Sequence, residues 1–176
     1  MKKIVQLIYS WAIIIIISLT IAFIIDDLKI GIIILLLAII LDIYRIYKEK
    51  IGQELVIAFL FALIITSYYV YEYTSLNVMV GRINLFPLIS WTAFLVIMRE
   101  IYEKLQKPKF AKICAIYIAS LFAVEYVGYW LMNIQLNSNY PSLFYMGIMH
   151  APIGMKLFYL LAGPVYILIT DYLKVK

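Results

Sequence analysis

Residues 113–132 read ICAIYIASLFAVEYVGYWLM, and Glu125 is the one charged residue in the stretch. About 20 predominantly apolar residues in a helix cross the hydrocarbon core of a bilayer, so this segment reads as a transmembrane helix. Working outward, residues 4–25 form an uncharged run, IVQLIYSWAIIIIISLTIAFII. A secretory signal has a shorter apolar core, about 7–15 residues, followed by a small-x-small cleavage site. Here the run leads into Asp26-Asp27 without such a site, and a retained first span is expected. Further apolar stretches place spans at about 28–47, 55–71, 83–98 and 151–170. The expected fold is one all-α integral membrane domain covering 1–176, a bundle of six transmembrane helices.

Composition agrees. Of the 176 residues, 66% are apolar and 14% charged, with a mean hydropathy of +0.99. Soluble domains run roughly 45–50% apolar and about 25% charged, and a soluble globule of this size could not bury so much apolar surface. Disordered chains are polar and charge-rich, so disorder is excluded as well. The net charge of +5 does not point to nucleic acid, because the basic residues flank the apolar segments. With the N-terminus inside, twelve of the 15 Lys and Arg fall on the inner side, Lys29 and Arg82 on the outer, and Lys156 in neither. The positive-inside rule then predicts a multi-pass protein of the cell membrane with both termini cytoplasmic.

Between the last two spans the pattern breaks. Residues 133–142, NIQLNSNYPS, are polar but uncharged, and Gly147, Pro152, Gly154, Gly163 and Pro164 all disfavour one straight helix. Two arrangements fit: a long kinked sixth span from Ser142, or an irregular outer loop or re-entrant piece before a sixth span starting near Ala151. Few small residues are available for close helix contacts, so bulky Ile, Leu and Tyr packing is expected.

Charge inside hydrocarbon is costly and marks candidate sites. Asp42, Glu125 and Lys156 qualify. Asp42 and Arg45 lie three residues apart on one helical face and read as a structural ion pair at the interface. Glu125 sits about 10 Å deep from the outer end of span five, and Lys156 about 8 Å deep in span six on the shorter arrangement. The matched depths predict that they pair or share a pocket. Glu125, Tyr129 and Asn133 follow at i, i+4, i+8 on one helix face, and His150 belongs to the same outer region. Glu125, Tyr129, Asn133, His150 and Lys156 therefore form the candidate ligand-binding set. An aromatic belt at the interface accounts for much of the surrounding Tyr and Trp, and a paired structural role accounts for the charges if no cavity adjoins them. Glu100 and Glu103 beside Arg99 and Lys104 read as a solvated helix end.

No metal site or cofactor is expected. Cys114 is the sole cysteine and His150 the sole histidine, which excludes a CxxC pair, a zinc site and a bis-histidine haem. P-loop, HExxH and GxSxG motifs are absent from the sequence. The outline of six spans with cytoplasmic termini and an outer aromatic pocket resembles the substrate-capture subunits of energy-coupling-factor vitamin transporters. No motif is shared, and span one reads Ile13-Ile14-Ile15-Ile16-Ile17 where those subunits carry a small-residue stripe. Three functions follow as expectations. The first is binding or transport of a small polar solute through an outward-facing pocket. The second is an embedded enzyme acting on a lipid headgroup or isoprenoid-linked substrate, with Glu125 or His150 as acid or base. The third is a structural or assembly subunit. Beyond the bilayer, the expected partners are another copy or a membrane subunit.

Overall fold

The computed structural model describes residues 49–73, 78–131, 133–136 and 140–173, with individual helical positions between Ile13 and Leu41. The spans expected at 4–25 and 28–47, and the Asp42–Arg45 pair, lie largely or wholly outside the described residues. What is described is mostly helical. Four helices carry it: α1 (Glu49–Tyr68), α2 (Leu85–Lys104), α3 (Lys109–Tyr126) and α4 (Ile153–Tyr172). Three stretches are long and apolar enough to cross a membrane: Leu85–Lys104, Lys109–Leu131 and Ile153–Tyr172. Gly52–Tyr68 is a shorter apolar helix. Leu60 and Ile64 on α1, and Ile153, Leu157, Leu161 and Leu168 on α4, are exposed. Apolar faces turned outward along whole helices suit lipid as the surrounding medium.

Each helix boundary has a local cause. Asn84 caps α2: its Oδ1 accepts from the Phe86 N–H at 3.1 Å while its Nδ2 donates to the Tyr71 carbonyl at 2.9 Å. Pro87 falls in the first turn, where its missing N–H costs nothing. At the far end, Lys109 Nζ donates to the Glu103 carbonyl at 3.3 Å and Lys112 Nζ to the Gln106 carbonyl at 3.2 Å. These lysines satisfy carbonyls that the end of α2 and the short connection leave open.

α1 packs most extensively on α2; α4 touches α1, α2 and α3. On α1, Ala58, Ala62 and Thr66 are completely buried at successive four-residue intervals, so a stripe of small residues faces the protein interior. Bulky side chains fill most of the core, while on this face of α1 small side chains let helix backbones approach. α3 and α4 meet through Gly163. A Cβ at Gly163 would stand 2.3 Å from Cδ2 of Tyr117, so only glycine admits that ring. Pro164 removes an N–H from the middle of α4, and in the preceding turn the Tyr117 hydroxyl donates to the Tyr159 carbonyl. Buried Thr66, Thr92 and Thr170 return their hydroxyls to carbonyls four residues back at 2.7–2.9 Å, which satisfies them in an apolar interior.

The structure departs from an all-helical chain at one end of the bundle. β1 (Met79–Val80) and β2 (Ile83–Asn84) form a small antiparallel hairpin, and Tyr73 bridges Leu136. The long kinked sixth span is not formed. Leu143–Tyr145 is a single 3-10 turn, and α4 begins only at Ile153, behind Pro152. The chain between α3 and α4 is therefore the irregular loop of the shorter arrangement.

Candidate functional site

α3 does not end as an α-helix. Val127–Leu131 continues it as a π-turn, a widened geometry that occurs often at functional sites. Asn133 then takes a left-handed φ of 53°, which Asn tolerates better than most residues. The Ile134 N–H folds back onto the Gly128 carbonyl at 2.8 Å. Asn133 thus terminates the helix and turns residues 134–136 inward, where Leu136 bridges Tyr73.

These turns enclose a cavity of about 20 Å³ lined by Tyr73, Glu125, Tyr129, Ile134, Leu136, His150 and Tyr159. About 10–15 Å³ is the least space that holds one water, so the cavity admits at least one. Glu125, from the last turn of α3, accepts a hydrogen bond from the Met149 backbone N–H. Tyr129, from the π-turn, stacks on His150 with ring centroids 4.9 Å apart and planes 9° from parallel. His150 Nδ1 lies 3.1 Å from the Tyr140 carbonyl.

Three of the five candidate residues, Glu125, Tyr129 and His150, therefore line one cavity. Asn133 and Lys156 do not line it. Lys156 is buried, 6% exposed, but its Nζ donates to the Pro141 and Ser142 carbonyls at 2.5 and 3.4 Å. Its expected ion pair with Glu125 is not among the ion pairs of the described residues. Depth matching located both charges at one end of the bundle. It could not register the carbonyls of a proline-containing loop, which an ammonium satisfies as readily as a carboxylate. Together Lys156 and His150 engage three successive carbonyls, 140 to 142, and hold the loop against α4.

The loop so held is strained. Phe144, Tyr145 and Met149 have φ of 46°, 59° and 54°, each costing roughly 1–3 kcal/mol for a residue with a side chain. Gly147 also has positive φ, 69°, and a Cβ there would stand 3.0 Å from the Trp130 ring. Strain of this kind persists where surrounding contacts over-determine it, and here it delivers the Met149 N–H to Glu125.

Tyr73 and Tyr159 complete the wall and lie in an aromatic column. Tyr71 stacks on both, at 6.2 and 6.5 Å, and Trp91 contacts Tyr159 at 5.3 Å. Burial pushes the Tyr71 and Tyr73 phenols well above the ordinary range, and the Glu125 carboxylate adds to both shifts. Both phenols stay neutral. Tyr73 was not singled out by the sequence; its long-range bridge to Leu136 is what brings it to the cavity.

The opposite end holds a second polar cluster. Arg99, 5% exposed, meets Asp171 at 2.5 Å, Glu54 at 3.5 Å and Glu103 at 3.6 Å. Tyr102 donates to Asp171 at 2.5 Å, and the Tyr166 hydroxyl donates to the Glu54 carbonyl at 3.2 Å. The reading of Arg99 as part of a solvated helix end is thus corrected: its partners on α1 and α4 are distant in sequence. This cluster ties α1, α2 and α4 together. A recess of about 440 Å³ near it is lined by Gly52, Gln53, Val56, Ile57 and Leu173, which bring no charge. Among the described residues, no group of three or more His, Cys, Asp or Glu could hold a metal ion.

No protein-family model, no curated protein and no solved structure matches this chain. The outline likeness to vitamin-capture subunits accordingly carries no inference about function.

Proposed function

We propose that the protein is a six-span membrane protein with cytoplasmic termini that binds or transports a small polar solute at the Glu125 cavity. The observation that carries this reading is convergence: Glu125, Tyr129 and His150 come from a helix end, a π-turn and a loop, and all line one cavity. Lys156 does not neutralise Glu125 but turns to loop carbonyls. The cavity is of the sort that ligands use, with aromatic walls and a few polar groups.

Native mass spectrometry of the full chain released from lipid nanodiscs tests the reading. A small retained mass, lost in Glu125→Gln, is expected. Identical spectra for the two proteins, without an adduct, would overturn it.

A further inference from the structure

We infer that the connection between α2 and α3 docks on anionic phospholipid headgroups through Lys107, Lys109 and Lys112. The inference is independent of what the Glu125 cavity holds. Position comes first. α2 ends at Lys104 and α3 begins at Lys109, and both lie in stretches long and apolar enough to cross a membrane. The four residues between them, 105–108, reach at most about 14 Å when extended, so the connection stays at the bilayer surface. Charge comes second. Arg99 is held among Glu54, Glu103 and Asp171, and Lys104 pairs with Glu100 at 3.7 Å. Lys107, Lys109 and Lys112 form no ion pair among the described residues. Asp171 lies within electrostatic reach of Lys109 but already accepts from Arg99 and Tyr102. After Glu103 the sequence holds no acidic residue until Glu125.

Geometry comes third. Lys109 Nζ donates to the Glu103 carbonyl at 3.3 Å and lies 5.7 Å from the centroid of the Tyr102 ring. Lys112 Nζ donates to the Gln106 and Lys107 carbonyls at 3.2 and 3.4 Å. Neutral carbonyls fix these ammonium groups on the connection without cancelling their charge, and each ammonium carries three donors. Two long side chains are thereby ordered in advance, which lowers the entropy lost when a phosphate binds. Lys107 and Lys112 are exposed, and Phe110, between Lys109 and Lys112, is 39% exposed. An aromatic side chain among cations at this depth matches a phosphate lying above acyl chains. A soluble anion offers nothing for Phe110 to enter, so the patch fits a lipid better than free phosphate.

Native mass spectrometry of the full chain, released from nanodiscs of equal parts phosphatidylcholine and phosphatidylglycerol, tests the inference by counting the lipids retained. Phosphatidylglycerol is expected in excess. The excess should fall by up to about fivefold per lysine replaced in Lys107→Gln and in the triple variant that adds Lys109→Gln and Lys112→Gln. Arg82→Gln, next to the opposite end of α2, should leave it unchanged. The Lys107 side chain makes no hydrogen bond or ion pair among the described residues, so Lys107→Gln decides the matter if the triple variant does not fold. Equal retention of the two lipids, an undiminished excess in Lys107→Gln, or an equal loss in Arg82→Gln would each overturn the inference. Displacement of phosphatidylglycerol by inorganic phosphate at matched ionic strength would assign the patch to a soluble anion and overturn the lipid. Each of these failures leaves the adduct expected at the Glu125 cavity untouched.

Discussion

The Lys156 ammonium lies 2.5 Å from the Pro141 carbonyl, so a charge buried in the first turns of α4 fastens a loop instead of neutralising Glu125. This contact brings residues 140–150 over the cavity, and it yields the first prediction. Lys156→Met leaves two carbonyls without their donor and should destabilise the fold by about 1–3 kcal/mol. Hydrogen exchange followed by mass spectrometry should show faster exchange confined to 140–150. Uniform loosening of α1 and α2 would mean that Lys156 supports the bundle and not the loop.

At Gly163, α4 meets the Tyr117 ring of α3 with no room for a Cβ. Gly163→Ala forces the ring aside and should cost about 1–3 kcal/mol through overpacking, measured by chemical denaturation in detergent. Tyr117→Phe should not rescue it, because the conflicting atoms are Cγ, Cδ2 and Cε2 and not the hydroxyl. Tyr117→Ala should relieve most of the added cost in a double-mutant cycle.

Arg99 is held among Glu54, Glu103 and Asp171. Replacing it with Met strands carboxylates in a largely buried site and should cost about 3–5 kcal/mol. Adding Glu54→Gln to Arg99→Met should recover part of the loss, since Glu54 is completely buried. Thermal denaturation of both variants and the parent checks the order; a double variant less stable than Arg99→Met would refute it.

Asn84 performs two tasks that substitutions separate. Asn84→Asp keeps the cap acceptor for Phe86 but loses the donor to Tyr71, while Asn84→Ala loses both. Loss of an N-cap costs about 0.5–2 kcal/mol, so unfolding midpoints should fall in the order parent, Asp, Ala. Equal midpoints for the two variants would leave the cap without effect.

Much of this was legible in local sequence, for definable reasons. The helices ending in Lys104, Tyr126 and Tyr172 follow from apolar length alone, because a bilayer imposes it. Glu125 stood out because a charge within hydrocarbon is costly wherever it occurs, and His150 because it belongs to the irregular outer region. What local pattern cannot encode is which distant backbone a side chain meets. The Tyr73–Leu136 bridge, the carbonyls bound by Lys156, and the Glu54 and Asp171 partners of Arg99 all join segments far apart in sequence. Asn133 was grouped with the site by its i+8 spacing, but the π-turn and its positive φ made it the helix terminator.

The convergence of Glu125, Tyr129 and His150 is the central claim, and the chain's single histidine makes it directly measurable. Solid-state NMR of the protein in lipid, with only histidine and tyrosine isotopically labelled, isolates the His150 ring against the tyrosine rings. A strong His–Tyr ring contact that disappears in Tyr129→Leu is expected, with His150 resonances that shift in Glu125→Gln. A His150 ring without a tyrosine contact, or one whose contact survives Tyr129→Leu, would contradict it.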